Sequence, residues 1–185
     1  RSTKPSTIGN VRNIIYKEAS FDDDGETEFA FAGGLFQESN QWESMMVPIS
    51  GSSVAAGDFD NDTRMDLIIS GTISNDGSIY TYTNNGTTFV MNSTWNNSLT
   101  GVLDGVLALA DFNNDGRLDF IETGQPTAGS NGVARVFFNN GQTFVLNITF
   151  GESVVGVIEG SMALADFNND GRLDLVATGS ETGGV

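Results

Sequence analysis

Cysteine and histidine are absent from all 185 residues. Without them the chain cannot form a disulfide, bind zinc through thiolates, use a thiol nucleophile or assemble a Ser-His-Asp relay. Basic residues are scarce as well, since eight Lys and Arg stand against 24 Asp and Glu, for a formal net charge of −16. A field of that sign repels nucleic acid and anionic lipid and draws in cations. No apolar run approaches the roughly 20 residues that a membrane helix needs, so neither nucleic acid nor direct membrane insertion is expected of this segment. Arg1 does not open a signal peptide, and the segment is expected to be a mature or excised part of a longer chain.

What is present argues against disorder. Hydrophobic residues make up 38% of the chain and thirteen residues are Phe, enough to build a core, so the carboxylates are expected to be gathered into sites rather than spread along a solvated coil. Five Asn-x-Ser/Thr sequons, at Asn61, Asn85, Asn92, Asn96 and Asn147, exceed only slightly the roughly three expected by chance from this composition.

Internal repetition sets the architecture. Three segments align without gaps: GDFDNDTRMDLIISG (57–71), ADFNNDGRLDFIETG (110–124) and ADFNNDGRLDLVATG (165–179). Their first aspartates, Asp58, Asp111 and Asp166, lie 53 and 55 residues apart. A degenerate upstream copy, ASFDDDGETEFAFAG (19–33), puts Ser20 in the first acidic position, only 38 residues before Asp58, and Glu28 in the ninth.

Short apolar runs enter and leave each loop, and each exit ends at a Gly. Two further strands follow in the complete units, over 78–83 and 87–92, and again over 133–138 and 143–149. Asn85-Gly86 and Asn140-Gly141 predict type I′ hairpins. No sustained 3.6-residue period is present, so helix content should be very low. Four short antiparallel strands in about 54 residues have the size of a β-propeller blade. The expectation is an all-β chain of about three and a half blades: a shortened one over 8–50, complete ones over 51–103 and 104–158, and half of one over 159–185. Closed propellers have about 4–8 blades, so further blades from the same longer chain are expected to complete the ring. Pairing of two such chains is the weaker alternative.

The loops have the pattern of a calcium site. Oxygen ligands at positions 1, 3, 5 and 9, with the backbone carbonyl of position 7, suit a hard cation that takes six to eight oxygens. In the three full copies these are Asp58, Asp60, Asp62, Arg64 and Asp66; Asp111, Asn113, Asp115, Arg117 and Asp119; and Asp166, Asn168, Asp170, Arg172 and Asp174. The upstream copy offers Ser20, Asp22, Asp24 and Glu28. An acidic turn capped by Asx hydrogen bonds is the plain alternative, and three copies at a fixed period weigh against it. Magnesium tolerates so many protein oxygens poorly. An EF-hand would want an acid at position 12, where Glu122 stands in one copy but Ile69 and Ala177 in the others. The position-2 phenylalanines, Phe21, Phe59, Phe112 and Phe167, are expected in the core between blades. Arg64, Arg117 and Arg172 are expected to bridge to a neighbouring blade.

ADFNNDGRLDLVATG, with VARVFFNNGQTF one copy earlier, resembles the FG-GAP/VCBS repeat family, which includes the propeller of integrin alpha subunits and many secreted or cell-surface proteins. The resemblance covers roughly 19–185 and implies calcium on the loop residues above, an extracellular or cell-surface location, and adhesion or scaffolding through a protein or glycan partner. The alternative is a propeller module of a secreted carbohydrate-active enzyme or lectin. With no His or Cys, only a carboxylate pair could catalyse. Glu122, Glu152, Glu159 and Asp104 lie outside the metal set, but no spacing pairs any two of them, so no enzymatic activity is expected.

Overall fold

The fold comes from a computed structural model, which describes residues 46–96, 99–151 and 154–181. The shortened unit expected over 8–50 falls almost wholly outside the described residues. Ten strands and two single-turn helices follow in order: β1 (Ser50–Gly57), β2 (Asp66–Ile73), β3 (Asp76–Asn84), β4 (Phe89–Met91), α1 (Ser93–Asn96), β5 (Leu103–Ala110), β6 (Asp119–Gln125), β7 (Val133–Asn139), β8 (Phe144–Asn147), α2 (Ile148–Gly151), β9 (Ile158–Ala165) and β10 (Asp174–Ser180). They form two four-stranded antiparallel meanders, β1-β2-β3-β4 and β5-β6-β7-β8, and a β9-β10 pair. The all-β class and four-strand units agree with the sequence pattern.

The turns differ from expectation. The tight two-residue hairpin joins β2 to β3, where Ile73 pairs with Asp76 and Ser74 and Asn75 both have positive φ (58° and 70°), as a type I′ turn requires. Between β3 and β4 the loop has four residues, because Asn84 pairs with Phe89. There Gly86 has positive φ (88°), and the Asn85 side chain accepts the N–H groups of Thr87 and Thr88 at 3.0 and 2.9 Å. Asn140 does the same for Gln142 and Thr143. Asn is favoured there for its side-chain turn, not for a left-handed backbone. The fourth strands are also shorter than expected: β4 starts only after the four-residue loop, at Phe89, and α2 begins at Ile148, inside the strand anticipated over 143–149. Asn92 caps α1, its Oδ1 accepting from Thr94 N–H at 3.1 Å.

The sheets stack face to face. On β2, Ile68 and Ser70 point to the β5–β8 sheet, whereas Leu67 and Ile69 point away from it. Both sets are buried, as expected of a strand covered on both faces. Ile68, Ile79 and Phe59 meet Leu107, Phe120, Phe137 and Phe144 of the next sheet, with Trp95 filling the seam. Phe59 lies 5.0 Å from Trp95 and 5.4 Å from Phe144, ring to ring, within the range of favourable edge and tilted contacts. On the far side, Leu67, Ile69, Tyr82, Phe89 and Ile49 make a second cluster. β5 lies beside both β1 and β9, so the first strands of successive units are neighbours.

A polar device recurs at each seam. The Ser70 hydroxyl accepts the N–H of Val102 and donates to its carbonyl, both at 3.2 Å. One unit later, Thr123 accepts Val157 N–H at 2.6 Å and donates to Val157 O at 2.8 Å. Each hydroxyl satisfies a buried backbone pair of the next unit, which would otherwise be costly. Nearby, Gly77 and Gly101 cross so closely that a Cβ on Gly77 would lie 2.2 Å from Gly101 O; only glycine permits that approach.

Glu122 adds a charge to the first seam. It is fully buried, lies 3.1 Å from Ser70 Oγ, whose one proton it shares with Val102 O, and pairs with Arg135 across the strands at 3.4 Å. Burial, only partly offset by Arg135 and the Ser70 hydroxyl, pushes its carboxyl up to about 7. A folded-state value above the ordinary 4.5 means that protonation favours the fold. This contribution is fully present below about pH 4.5 and is lost as pH rises through 7. Glu122→Gln should therefore be more stable than wild type at pH 8, with an advantage that shrinks towards pH 5. Melting curves of both proteins in chelator across that range check this, and a pH-independent difference would refute it.

Candidate metal centre

The three full loops share one backbone. Position 4 is left-handed in each (Asn61, Asn114 and Asn169, φ 59–60°), and so is position 6 (Thr63 at 77°, Gly116 at 85°, Gly171 at 83°). This double reversal curls the segment between the first and second strands and turns its oxygens inward.

The same hydrogen bonds hold each loop. The first-position carboxylate accepts two N–H groups: Asp58 from Asp62 and Thr63 at 3.0 and 2.9 Å, Asp111 from Asp115 and Gly116 at 3.0 and 2.8 Å, and Asp166 from Asp170 and Gly171 at 3.0 and 2.8 Å. The third position, Asp60, Asn113 or Asn168, accepts the N–H of the fifth. The fifth, Asp62, Asp115 or Asp170, accepts that of the seventh. Asp66 bridges the loop to β3, taking Phe59 N–H at 3.2 Å and Asn84 N–H at 2.9 Å. Asp119 does so with Phe112 and Asn139 at 2.9 and 2.8 Å. Asp174 accepts Phe167 N–H at 3.0 Å.

The first loop concentrates most charge. One carboxylate oxygen each from Asp58, Asp60 and Asp66 lies within 4.8 Å of the others. Asp66 is fully buried. Its burial raises the carboxyl to about 7, opposed by the Asn84 N–H and reinforced by Asp60. Asp60 is raised as well, first by burial and then by Asp62, and burial likewise raises Asp119. Carboxylates this crowded favour either a proton or a cation. The other two loops hold an Asn at position 3 and so carry one charge fewer.

The arginines are a correction. Arg64 and Arg117 do not reach another sheet; each ion-pairs inside its own loop, with Asp62 and Asp115. Each also donates through Nε to its own sheet, to Asn84 O at 2.6 Å and Asn139 O at 2.7 Å. A side chain at position 7 lies beside position 5 and the end of the third strand, too near home for a bridge between sheets. Arg172 N–H is held by Asp170.

The phenylalanines divide. Phe59 is fully buried, Phe112 half-buried and Phe167 55% exposed. Phe167 departs from the core expectation because no described sheet covers its side of β9-β10. Ser20, Phe21, Asp22, Asp24 and Glu28 lie outside the described residues, as does Glu152. Asp104 and Glu159 take equivalent left-handed positions (φ 50°) early in β5 and β9. Asn84 and Asn139 went unrecognised as supports of the site. The repeated Asn-Asn-Gly was their signal, and turn chemistry alone accounted for it. Asn139 also reaches across the seam, donating through Nδ2 to Phe59 O at 2.7 Å.

Thr63 occupies a left-handed position that glycine holds in the other loops, a costly conformation for a β-branched residue. Thr63→Gly should stabilise the chain by about 1 kcal/mol. Chemical denaturation checks this, and a loss of stability would show that the Thr63 side chain compensates for its backbone.

Compared with known families, residues 58–122 match the FG-GAP-like repeat. No curated protein and no solved structure gave a significant match. The segment from the first acidic loop to the strand after the second is thus similar to an FG-GAP-like repeat.

Proposed function

We propose that this chain is a calcium-stiffened segment of an extracellular or cell-surface β-propeller that scaffolds recognition of a protein or glycan. The observation that carries the calcium part is the repetition of one backbone and one donor arrangement in three loops, with buried Asp66 beside Asp58 and Asp60 in the most acidic of them. The donor set fits the ion. Carboxylate and amide oxygens at positions 1, 3, 5 and 9 supply hard ligands, and the carbonyls of Arg64, Arg117 and Arg172 complete each set. The amide hydrogen bonds do not compete, because a carboxylate oxygen has more than one acceptor direction. The ion would tie the first strand of each unit to the second and, through position 9, to the third. The stacked four-strand units and the adjacency of β1, β5 and β9 support the propeller reading, with further blades from the same longer chain as neighbours.

Calorimetric titration with calcium should give three binding events on the described loops, the tightest lost in Asp66→Asn. Absence of heat, together with absence of terbium luminescence, would leave the loops as hydrogen-bonded turns. The glycan alternative draws on a shallow cleft of about 360 Å³ beside the second loop, where Asn113, Asp115 and Arg117 face the exposed Val145 and Leu146. Calcium-dependent binding on a glycan array, weakened by Asn113→Ala, would favour a lectin role. Turnover of any glycan on such a panel would favour the enzyme module instead.

A further inference from the structure

We infer that the outward face of β9-β10 is a docking surface for one more four-stranded unit of this repeat, recognised through Thr178 and Phe167. The inference rests on the repeat-module reading above but is independent of calcium. Two seams already in the fold specify what this face would accept.

In the first unit the forward-facing positions are Ser53, Ala55, Ile68 and Ser70, with Phe59 from the loop. The pairings Ser53↔Ser70 and Ser161↔Thr178 set the equivalence, so the third unit presents Ser161, Ala163, Val176 and Thr178, with Phe167. All five of the latter are exposed, whereas Phe59 and Ile68 are fully buried under the next sheet. The third unit thus repeats a surface that is covered in the first.

Chemistry defines the occupant. Ser70 and Thr123 each bind both the N–H and the C=O of a valine ahead of the next unit's first strand. Thr178 holds the same position and offers the same hydroxyl. Phe59 O takes the Asn139 amide, and the Phe59 ring takes Phe144. Phe167 therefore fits a unit with Asn at the end of its third strand and Phe at the start of its fourth. A second copy of this chain is a poor occupant. The face it would have to offer, with Leu67, Ile69, Tyr82 and Phe89, is already buried.

The test extends the whole chain after Glu181 with a second copy of residues 74–151. In that register the added copies of Val102, Asn139 and Phe144 fall where Thr178 and Phe167 require them. Hydrogen exchange over 158–178 should slow at least about tenfold relative to the parent chain, and Thr178→Val or Phe167→Asp in the extended chain should reverse much of that. The same substitutions should leave the parent's exchange unchanged. Parent-like exchange over 158–178 would overturn the inference, whether the added unit is folded or not, since a complementary face should template it. Calcium titration of the parent separates the two readings: protection without calcium binding leaves the docking face standing and removes the metal.

Discussion

Excess chelator should lower the melting temperature by about 15–30 °C. A site whose Kd is a hundredfold below free calcium adds about 2.7 kcal/mol, so three loops add roughly 8 kcal/mol, comparable to the whole margin of many domains. For a chain of this size each kcal/mol shifts the midpoint by about 2–4 °C. The physical source is the crowding of carboxylates in each loop, sharpest where Asp66 is buried beside Asp60. With the ion removed, that charge must repel or take up protons. Scanning calorimetry in calcium and in chelator, at one pH and ionic strength, measures the shift. Magnesium should restore little of it, because it accommodates so many protein oxygens poorly. An unchanged midpoint would remove calcium from the account of stability.

Phe59→Ala should cost about 3–5 kcal/mol, and Phe167→Ala less than about 0.5 kcal/mol. Both phenylalanines occupy the second position of nearly identical loops. Phe59 fills the seam between two sheets against Trp95 and Phe144, and its loss leaves a cavity that these two packed aromatic neighbours cannot close. Phe167 is 55% exposed and leaves none. Urea denaturation with unchanged m-value gives the comparison directly. Equal effects would mean that the seam does not carry the core energy assigned to it.

Much of this was legible in the residues. Strands could be placed because apolar alternation and Gly or Asn punctuation act over a few residues, and the loops because their oxygens must recur at fixed spacing. What escaped depended on neighbours that sequence does not bring together. Phe59 and Phe167 look alike in the chain and differ only in what covers them. Arg64 reads as a free cation for another sheet, yet its reach ends at Asp62 and Asn84. The type I′ turn fell on Ser74-Asn75 because strand register, set by the pairing of Ile73 with Asp76, outweighs the local preference of Asn-Gly. Glu122 stood outside the metal set with no role assigned; its role appears only when Ser70, 52 residues away, lies opposite it.

The seam hydroxyls bind main-chain atoms of the valine that opens the next unit. A contact of that kind makes no demand on the neighbour's side-chain identity. Duplication or loss of an entire unit therefore leaves this contact matched, and only the side chains packed beside it, such as Phe144 on Phe59, have to agree between neighbours. A new copy that keeps those few side chains would meet a main-chain contact already suited to it.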